Sequence, residues 1–216
     1  MNNYNIKNVL VIGAHFDDAE LGCGGTMAKL AADGINVYKL TLTDNVTDFR
    51  QMGIKVGFDD SLRDSSKACE VLGVKEITDF EFVECNKLSY CAEVMQRVEA
   101  IIFRYDIDTV FIHFPDDFNQ DHIAASQICK TAARHCRNIL FYKSNGYADE
   151  RAFNPSVFVD ISGEPFEKKK LALAQYHGVH DRFNRLFDIA LKRTEIWGYA
   201  NKAKNAEGFV PVKVCL

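Results

Sequence analysis

The sequence predicts one α/β domain in which a mostly parallel β-sheet carries helices on both faces, as a three-layer sandwich. Short apolar runs rich in Val and Ile alternate along the chain with longer segments whose apolar residues recur every three or four positions. The chain has 216 residues, of which 47% are hydrophobic, enough to build one such domain around a proper core. Because no repeat, low-complexity tract or linker interrupts the alternation, we expect a single domain over residues 1–216.

In the first half of the chain, predicted strands alternate with predicted helices. The run NVLVIGA is apolar on both faces, which is typical of a strand in the interior of a parallel sheet. Gly34 and Gly73 suit the C-terminal ends of helices, where a left-handed residue is favoured. We therefore expect strands at 8–14, 36–43 and 76–84, helices at 24–33 and 62–73, and a polar loop at 44–60.

The second half continues the same alternation. In residues 88–104 the apolar side chains recur at helical spacing and form one face. We expect helices at 88–104, 121–136, 164–177 and 180–196, strands at 108–114, 138–144 and 156–162, and an irregular C-terminal segment after them. This alternation indicates parallel strands, and in such sheets ligands bind beyond the C-terminal ends of the strands.

The composition excludes several functional classes. The formal net charge of −4 does not favour a nucleic-acid or anionic-membrane partner. No apolar run approaches the roughly 20 residues of a membrane-spanning helix, and no N-terminal signal segment is evident, so we expect a soluble, cytoplasmic protein. The seven Cys residues form no CxxC pair, which predicts reduced thiols with no disulfide framework and no Cys-based zinc site.

Titratable side chains cluster where the predicted strands end. His15, Asp17 and Asp18 follow the first strand, His113 lies at the end of a later strand, and His122 begins the next helix. Adjacent carboxylates repel each other, so placing them at a strand end is unfavourable unless a positive group lies beside them. A divalent cation is one such group, and a purely structural cluster of hydrogen bonds or helix caps is the alternative.

Zinc fits this set of residues best. It binds His nitrogen and carboxylate oxygen in tetrahedral sites, and a catalytic site keeps one position for water. His15 and Asp18 are three residues apart, so one turn can direct both toward the same point, and His122 is the first choice as third ligand. Asp17, between the first two, would lie beside the metal as the general base for the water. Whether another divalent ion takes the place of zinc is left open.

Two stretches of the chain, AHFDDAELGCGGT and DDFNQDH, resemble the motifs of a known family. The first is similar to Ala-His-Pro-Asp-Asp-Glu followed by Gly-Gly-Thr, and the second to His-Pro-Asp-His, in the zinc-dependent de-N-acetylases of the LmbE-like (PIG-L) group. Further similarity covers LRDSSKACEVLGV and, weakly, KKKLALAQYHGVH and AEGF. The resemblance implies a Rossmann-like fold and hydrolysis of an N-acetyl group on an amino sugar or sugar conjugate.

The resemblance also implies roles residue by residue. His15, Asp18 and His122 match the family's zinc ligands, and Asp17 matches the general base that activates the water. Asp121 matches the Asp beside the last ligand, which orients its neighbours. The Gly-Gly-Thr is expected to start a helix and to let the substrate approach the backbone.

Three positions depart from the family pattern. Phe16 replaces the Pro after the first His. Ala19 replaces the Glu of the motif, and Glu20, the acid one position later, is not expected to take the role of that Glu. Asn119 stands where the second motif begins with His, which in the family helps to stabilise the oxyanion or serves the leaving amine. Asn can donate a hydrogen bond to an oxyanion but cannot carry a proton, and His113 is the candidate to take over that task.

Three further residues are candidates for binding the substrate. Arg63 starts a helix and matches a substrate-contacting Arg of the family. Arg50 competes with it, because the loop at 44–60 leaves the same edge of the sheet. His177 falls where the family has a His or another polar residue. Each of them also has an ordinary explanation as a surface or structural residue.

The sequence thus predicts a zinc-dependent hydrolase that deacetylates a small N-acetylated sugar or conjugate, without nucleic-acid binding or membrane insertion; a homo-oligomer is left open. One alternative, which the change at Asn119 keeps open, is a family member with impaired catalysis that binds metal and ligand only. Another is a dinucleotide-binding oxidoreductase, suggested by GCGG after a strand and by Asp44 at the end of the next. It is disfavoured because the carboxylates before the glycines would repel a pyrophosphate.

Overall fold

Strands and helices alternate along the chain in the computed structural model, which describes residues 6–50, 53–146, 152–176 and 180–215. The strands are β1 (Asn8–Gly13), β2 (Asn36–Thr41), β3 (Thr47–Phe49), β4 (Ile54–Val56), β5 (Lys75–Ile77), β6 (Thr109–His113), β7 (Asn138–Tyr142), β8 (Val157–Asp160) and β9 (Ala206–Lys213). The α-helices are α1 (Asp18–Ala32), α2 (Phe58–Leu72), α3 (Ala92–Arg104), α4 (Gln120–Ala132), α5 (Glu164–Leu173) and α6 (His180–Ala200). None of the helices in the described part of the chain is long and apolar enough to span a lipid bilayer.

Seven strands form one mixed sheet in the order β5-β2-β1-β6-β7-β9-β8, which confirms the predicted mostly parallel sheet. Neighbours from β5 to β7 pair in parallel, whereas β9 runs antiparallel to both β7 and β8. In the pairing of β1 with β6, Val9 lies opposite Thr109 and Val11 lies opposite Phe111. The C-terminal ends of these two strands therefore lie side by side, and the segments that follow them begin next to each other.

Helices cover both faces of this sheet, as predicted. Leu10 and Ile12 of β1 pack into a core that also receives α3 and α4, whereas Val9 and Val11 pack into a second core with α1, α2 and α5. Side chains alternate between the two faces of a strand, so the burial of all four residues shows that β1 is covered on both sides. The α/β architecture is thus three-layered around a central, apolar strand.

Helix α1 begins at Asp18, earlier than the sequence predicts, and its glycines lie inside the helix. A Cβ on Gly22 would lie 2.1 Å from Tyr142 Cδ2, and one on Gly25 would lie 2.5 Å from Ile161 Cδ1. These glycines therefore allow α1 to pack closely against β7 and against the residue after β8. The expectation that the Gly-Gly-Thr lets substrate approach the backbone is wrong, because the protein itself fills the space beside these glycines.

A buried ion pair ties α1 to α5 and β9. The Glu207 carboxylate accepts the backbone N–H of Gly25 at 3.0 Å and of Thr26 at 2.7 Å. Lys169 Nζ donates to Glu207 at 2.5 Å and to the Leu21 carbonyl at 2.8 Å. The helix whose first residue is Asp18 is thus held at its centre by contacts from distant parts of the chain.

The sequence predicts a loop at 44–60, but the structure has regular elements in this segment. β3 and β4 pair there as an antiparallel hairpin, and α2 starts at Phe58 rather than at residue 62. Asp59 and Asp60 lie in the first turn of α2, where negative charge is favoured by the helix dipole. These acids gave the segment its loop-like polarity, although they belong to a helix.

The prediction of an irregular C-terminal segment is wrong. Helix α6 continues to Ala200, and β9 then enters the sheet between β7 and β8. Residues 206–209 of β9 are buried, whereas residues 211–213 are exposed. The burial of β9 therefore changes along its length, so its sequence does not show the pattern of a uniform strand. Pairing with β7 and β8 makes this segment a strand.

Two further predicted bounds are also wrong. The third strand ends at Ile77 rather than at residue 84, because acidic residues after it face solvent and pair with arginines of α3. Helix α3 begins at Ala92 rather than at residue 88, since Cys91 before it has an extended backbone.

Gly22→Ala is expected to lower the free energy of unfolding by about 1–3 kcal/mol, because the added methyl group meets the buried ring of Tyr142. This ring is held in place, since its hydroxyl donates to the Ile12 carbonyl at 2.8 Å. Urea denaturation followed by circular dichroism measures the change. Gly57→Ala is the steric control, because the nearest atom to its Cβ is 4.0 Å away, and it is expected to lose only the difference between a Gly and an Ala cap on α2. Equal stability of Gly22→Ala and the parent chain would contradict this packing.

Candidate metal centre and active site

The turn after β1 brings His15 and Asp18 together. Gly13 ends the strand, and a Cβ there would lie 2.7 Å from the His15 carbonyl oxygen, so glycine allows this tight turn. The Asp18 carboxylate accepts a hydrogen bond from the His15 backbone N–H at 2.8 Å. Asp18 is also the first residue of α1, where a negative charge is favoured by the helix dipole.

His122, at the start of α4, completes a cluster of three side chains. His15 Nδ1 lies 3.2 Å from His122 Nε2 and 3.3 Å from Asp18 Oδ2, and His122 Nε2 lies 3.2 Å from Asp18 Oδ1. In a tetrahedral zinc site with bonds of about 2.0–2.1 Å, ligand atoms lie about 3.3–3.4 Å apart. The three predicted ligands therefore come together at a spacing that fits a small divalent cation.

The electrostatics of this cluster also favour a cation. Burial alone would raise the pKa of Asp18, but the neighbouring His122 and His113 outweigh it and hold that pKa well below its usual value. Burial would lower the pKa of His122, yet the carboxylates of Asp18 and Asp117 raise it to about 9. The arrangement thus favours positive charge beside Asp18, and a metal ion would supply it.

Two carboxylates orient the imidazoles from behind. Asp121 Oδ2 lies 3.2 Å from His15 Nε2 and accepts the Asn86 backbone N–H at 2.7 Å. Asp117 Oδ2 lies 3.0 Å from His122 Nδ1. A carboxylate on one ring nitrogen favours the tautomer whose other nitrogen directs its lone pair toward the cluster, as in many metal sites. Asp121 thus lies where it can orient His15, and that role stays a prediction.

Asp117 is a site residue that the sequence analysis missed. Asn145 Nδ2 lies 2.8 Å and 2.7 Å from its two carboxylate oxygens. Burial would raise the pKa of Asp117, but the hydrogen bond with His122 lowers it to about 2. The sequence offered one signal for Asp117, because the pair Asp116–Asp117 lies between the end of a predicted strand and the predicted ligand His122. It offered no comparable signal for Asn145.

His113 lies behind Asp18, where it is almost fully buried and stacks on His122 with ring centroids 4.1 Å apart. Its Nε2 lies 3.2 Å from Asp18 Oδ2, 3.0 Å from Ala14 N and 3.1 Å from the Tyr142 hydroxyl. Burial and the charge of His122 lower the pKa of His113, which favours a neutral ring. These contacts suit a residue that positions Asp18, and they do not support its predicted part in serving the leaving amine.

Asn119 caps helix α4. Its side-chain Oδ1 accepts the backbone N–H of Asp121 at 2.9 Å and of His122 at 3.4 Å, and Asn is among the best N-cap residues. Because the oxygen is used for capping, the amide Nδ2 is the part of the side chain left to donate to a substrate. A surface cavity of about 350 Å³ is lined by Asn86, Phe118, Asn119 and Gln120.

Asp17 lies at the N-cap position of α1, next to the cluster and partly exposed. Its side chain makes no capping hydrogen bond. Burial and the charge of Asp18 raise the pKa of Asp17 to about 6. A carboxylate with a pKa in this range can accept a proton near neutral pH, so Asp17 has the properties of a base beside the cluster.

A buried lysine holds the turn between β1 and α1. Lys39 Nζ donates to the Phe16 carbonyl at 2.6 Å and to Glu20 Oε1 at 2.6 Å. The Tyr176 hydroxyl donates to the same Phe16 carbonyl at 2.7 Å. Because this carbonyl belongs to the turn itself, the network fixes the backbone that carries the clustered side chains. Glu20 is thus an ion-pair partner of Lys39, in agreement with the expectation that it lies outside the chemistry.

None of the described contacts joins the predicted substrate-binding arginines to this cluster. Arg63 lies on an exposed face of α2 and pairs with Asp60 at 2.6 Å and with Asp64 at 3.4 Å. Arg50 follows β3, and its exposed guanidinium lies 3.7 Å from a carboxylate of that strand. His177 lies outside the described residues. Binding of substrate by these three residues stays a prediction.

A family model described as GlcNAc-PI de-N-acetylase (PIG-L) matches residues 10–133. That span covers more than half of the chain and contains both motifs and every residue of the three-residue cluster. The chain therefore belongs to the PIG-L family, as its motifs predict.

Individual proteins resemble the chain in sequence or in fold. The chain is 30% identical over 177 residues to the uncharacterized deacetylase YaiS of Escherichia coli, covering 79% of this chain and 90% of YaiS. It is 36% identical over 101 residues to a diacetylchitobiose deacetylase of Thermococcus kodakarensis, covering 45% of this chain and 37% of that protein. The crystal structure of GalB, a 4-carboxy-2-hydroxymuconate hydratase of Pseudomonas putida, has a TM-score of 0.81 and 18% identity over 98% of both chains. Because one fold carries different named activities, function must be argued from the site.

Asp117→Asn is expected to weaken the binding of a divalent cation by about 10–100-fold, because His122 would lose the carboxylate that orients it. Calorimetric titration of chelator-treated protein with Zn²⁺ measures the affinity. Asp116→Asn is the matched control, since no hydrogen bond from Asp116 to the cluster is described, and it is expected to bind as the parent chain does. Parent-level affinity in Asp117→Asn would show that its carboxylate does not support a metal ligand.

Proposed function

We propose that the protein is a metal-dependent N-deacetylase that hydrolyses the acetamido group of a small N-acetylated amino sugar or sugar conjugate. The observation that carries the proposal is the convergence of His15 Nδ1, His122 Nε2 and the Asp18 carboxylate at 3.2–3.3 Å from one another, next to Asp17. The family's description and the name of the diacetylchitobiose deacetylase relative support the choice of an N-acetylated sugar.

The metal ion would be held by His15, Asp18 and His122, and zinc suits two imidazoles and one carboxylate best. When bound, such an ion acts as a Lewis acid on the acyl carbonyl and lowers the pKa of a water molecule toward about 7. A set of three protein ligands would be the pattern of catalytic zinc sites rather than structural ones.

Asp17 is the group that moves the proton. Its carboxylate removes a proton from the attacking water as the oxygen bonds to the acyl carbon. It then returns that proton to the amide nitrogen as the C–N bond breaks, so that acetate and the free amine result. Because Asn119 cannot carry a proton and His113 is almost fully buried, Asp17 serves as both base and acid.

The amide Nδ2 of Asn119 donates to the carbonyl oxygen of the substrate as negative charge develops there. The cap on α4 holds this amide through the hydrogen bonds that its Oδ1 accepts. A donor that is oriented before the reaction needs no reorganisation when the charge forms. Asn119 thus takes over the oxyanion task, but not the proton transfer, of the His in the family motif.

Asp17→Asn is expected to lower kcat for acetate release by about 10²–10⁴-fold, because an amide cannot accept the proton of the water. Acetate is measured over a screen of N-acetylated monosaccharides, disaccharides and sugar nucleotides. Removal of metal by a chelator is expected to abolish acetate release, and added Zn²⁺ to restore it.

Asp33→Asn is the control for this experiment, since Asp33 is an exposed residue at the opposite end of α1. Metal content is measured on the same samples. One bound ion per chain without hydrolysis of any substrate would indicate a family member with impaired catalysis. Full turnover by the metal-free protein would contradict the proposal.

Asn119→Asp tests the oxyanion role, because it keeps a capping oxygen and removes the amide donor. The fold is expected to be retained, since Asp caps helices as well as Asn does, while kcat falls by about 10²–10³-fold. Asn119→Ser is the uncharged companion, because Ser is also a good cap. Parent-level kcat in both variants would mean that Asn119 only caps the helix.

A further inference from the structure

A second set of metal-ligating side chains lies on the other side of the His15 ring. His15, Cys85 and Asp121 each offer one ligand atom, and these atoms lie within 4.8 Å of one another. His15 Nε2 is 3.2 Å from Asp121 Oδ2, whereas Nδ1 of the same ring faces Asp18 and His122. The two sets thus share one imidazole, and Asp121 faces the ring nitrogen opposite to the one that Asp18 and His122 face.

Local hydrogen bonds hold Cys85 in this position. Its backbone N–H donates to Asp44 Oδ1 at 2.9 Å, and its thiol lies 3.3 Å from Thr47 Oγ1 and 3.5 Å from Asn86 Nδ2. The side chain of His15 is 14% exposed, so an ion from solvent can reach the ring that Cys85 adjoins.

Asp121 has ligand capacity to spare. The residue is fully buried, and its Oδ2 accepts the Asn86 backbone N–H. Its Oδ1 has no hydrogen-bond partner within the described ranges. A buried carboxylate oxygen without a partner is unfavourable, and a cation bound to the carboxylate would satisfy it.

We propose that His15 Nε2, Cys85 Sγ and the Asp121 carboxylate form a second, inhibitory position for a thiophilic divalent cation such as Zn²⁺ or Cd²⁺. The soft sulfur ligand favours these ions over Mg²⁺ and Ca²⁺. Imidazole and carboxylate complete a set that zinc accepts in proteins.

The two positions exclude each other because they compete for one ring. A neutral imidazole has one nitrogen with a proton and one with a lone pair. An ion on Nε2 therefore requires the imidazole proton to move to Nδ1, and the thiol proton of Cys85 is released to solvent. Because Nδ1 then carries the proton, His15 can no longer bind an ion together with Asp18 and His122. The first position is therefore disabled. The existence of the second position is independent of the proposed deacetylase activity, but its inhibitory effect rests on that function.

Titration of the chelator-treated full chain with Cd²⁺ tests the second position, with the ultraviolet thiolate-to-cadmium charge-transfer absorbance as the signal. The parent chain is expected to develop this band, and Cys85→Ser to lose it. Serine can keep the hydrogen bonds to Thr47 and Asn86, and circular dichroism checks that the fold is retained. Cys215→Ser is the matched control, since Cys215 is an exposed thiol, and it is expected to keep the band. No band in the parent chain, or an undiminished band in Cys85→Ser, overturns the proposal.

Asp18→Asn tests the competition between the two positions. It removes a ligand of the first position and leaves the second intact, so the band is expected to develop at a lower Cd²⁺ concentration than in the parent chain. A band that needs the same or a higher concentration overturns mutual exclusion.

The inhibitory effect is measured by acetate release in excess Zn²⁺. The parent chain and Cys215→Ser are expected to be inhibited at Zn²⁺ concentrations at least about tenfold lower than Cys85→Ser requires. Equal inhibition of all three overturns the inhibitory role. The absorbance signal needs no turnover, so a lack of deacetylase activity would count against the proposed function and not against the second position.

Discussion

The burial of the Asp18 carboxylate among three imidazoles is the interaction on which the rest of the site depends. Its oxygens lie 3.2–3.3 Å from a ring nitrogen of each of His15, His113 and His122. A buried carboxylate is unfavourable unless it is paired and hydrogen-bonded. The imidazoles supply that partner, and Asp121 and Asp117, behind His15 and His122, balance positive charge on those two rings. A cation that replaces protons on His15 and His122 would keep positive charge between the Asp18 carboxylate and the carboxylates behind the rings. This explains why the cluster suits a metal ion.

The fold holds this cluster through contacts between distant parts of the chain. β1 and β6 are parallel neighbours, so the segments that leave their C-terminal ends start at the same place. Two buried lysines then fix α1 and the turn before it. Lys39 pairs with Glu20 and donates to the turn, and Lys169 pairs with Glu207 and donates to α1. Because each ammonium has both a carboxylate and a backbone carbonyl as partners, neither is an isolated buried charge. These contacts therefore fix the backbone that carries His15 and Asp18.

Sequence reasoning found the clustered side chains whose residue type and position at a strand end or helix start are unusual, including the distant His122, and it missed partners that carry no such signal. His15 and Asp18 could be chosen because acids and imidazoles at a strand end are unusual, and the turn that joins them spans only a few residues. Glu207 is 182 residues from Gly25, and Asn145 is 28 residues from Asp117 with no motif to mark it. β9 exists only through pairing with β7 and β8. Asn119 is an intermediate case, since Asn before a helix is a known capping signal, yet comparison with the family motif drew attention only to the missing His.

Anomalous diffraction at the zinc absorption edge, from crystals loaded with one equivalent of Zn²⁺, would show where the first ion binds. We expect one dominant peak bonded at about 2.0–2.2 Å to His15 Nδ1, His122 Nε2 and the Asp18 carboxylate. A dominant peak elsewhere, with these three side chains still in contact only with one another, would contradict this expectation.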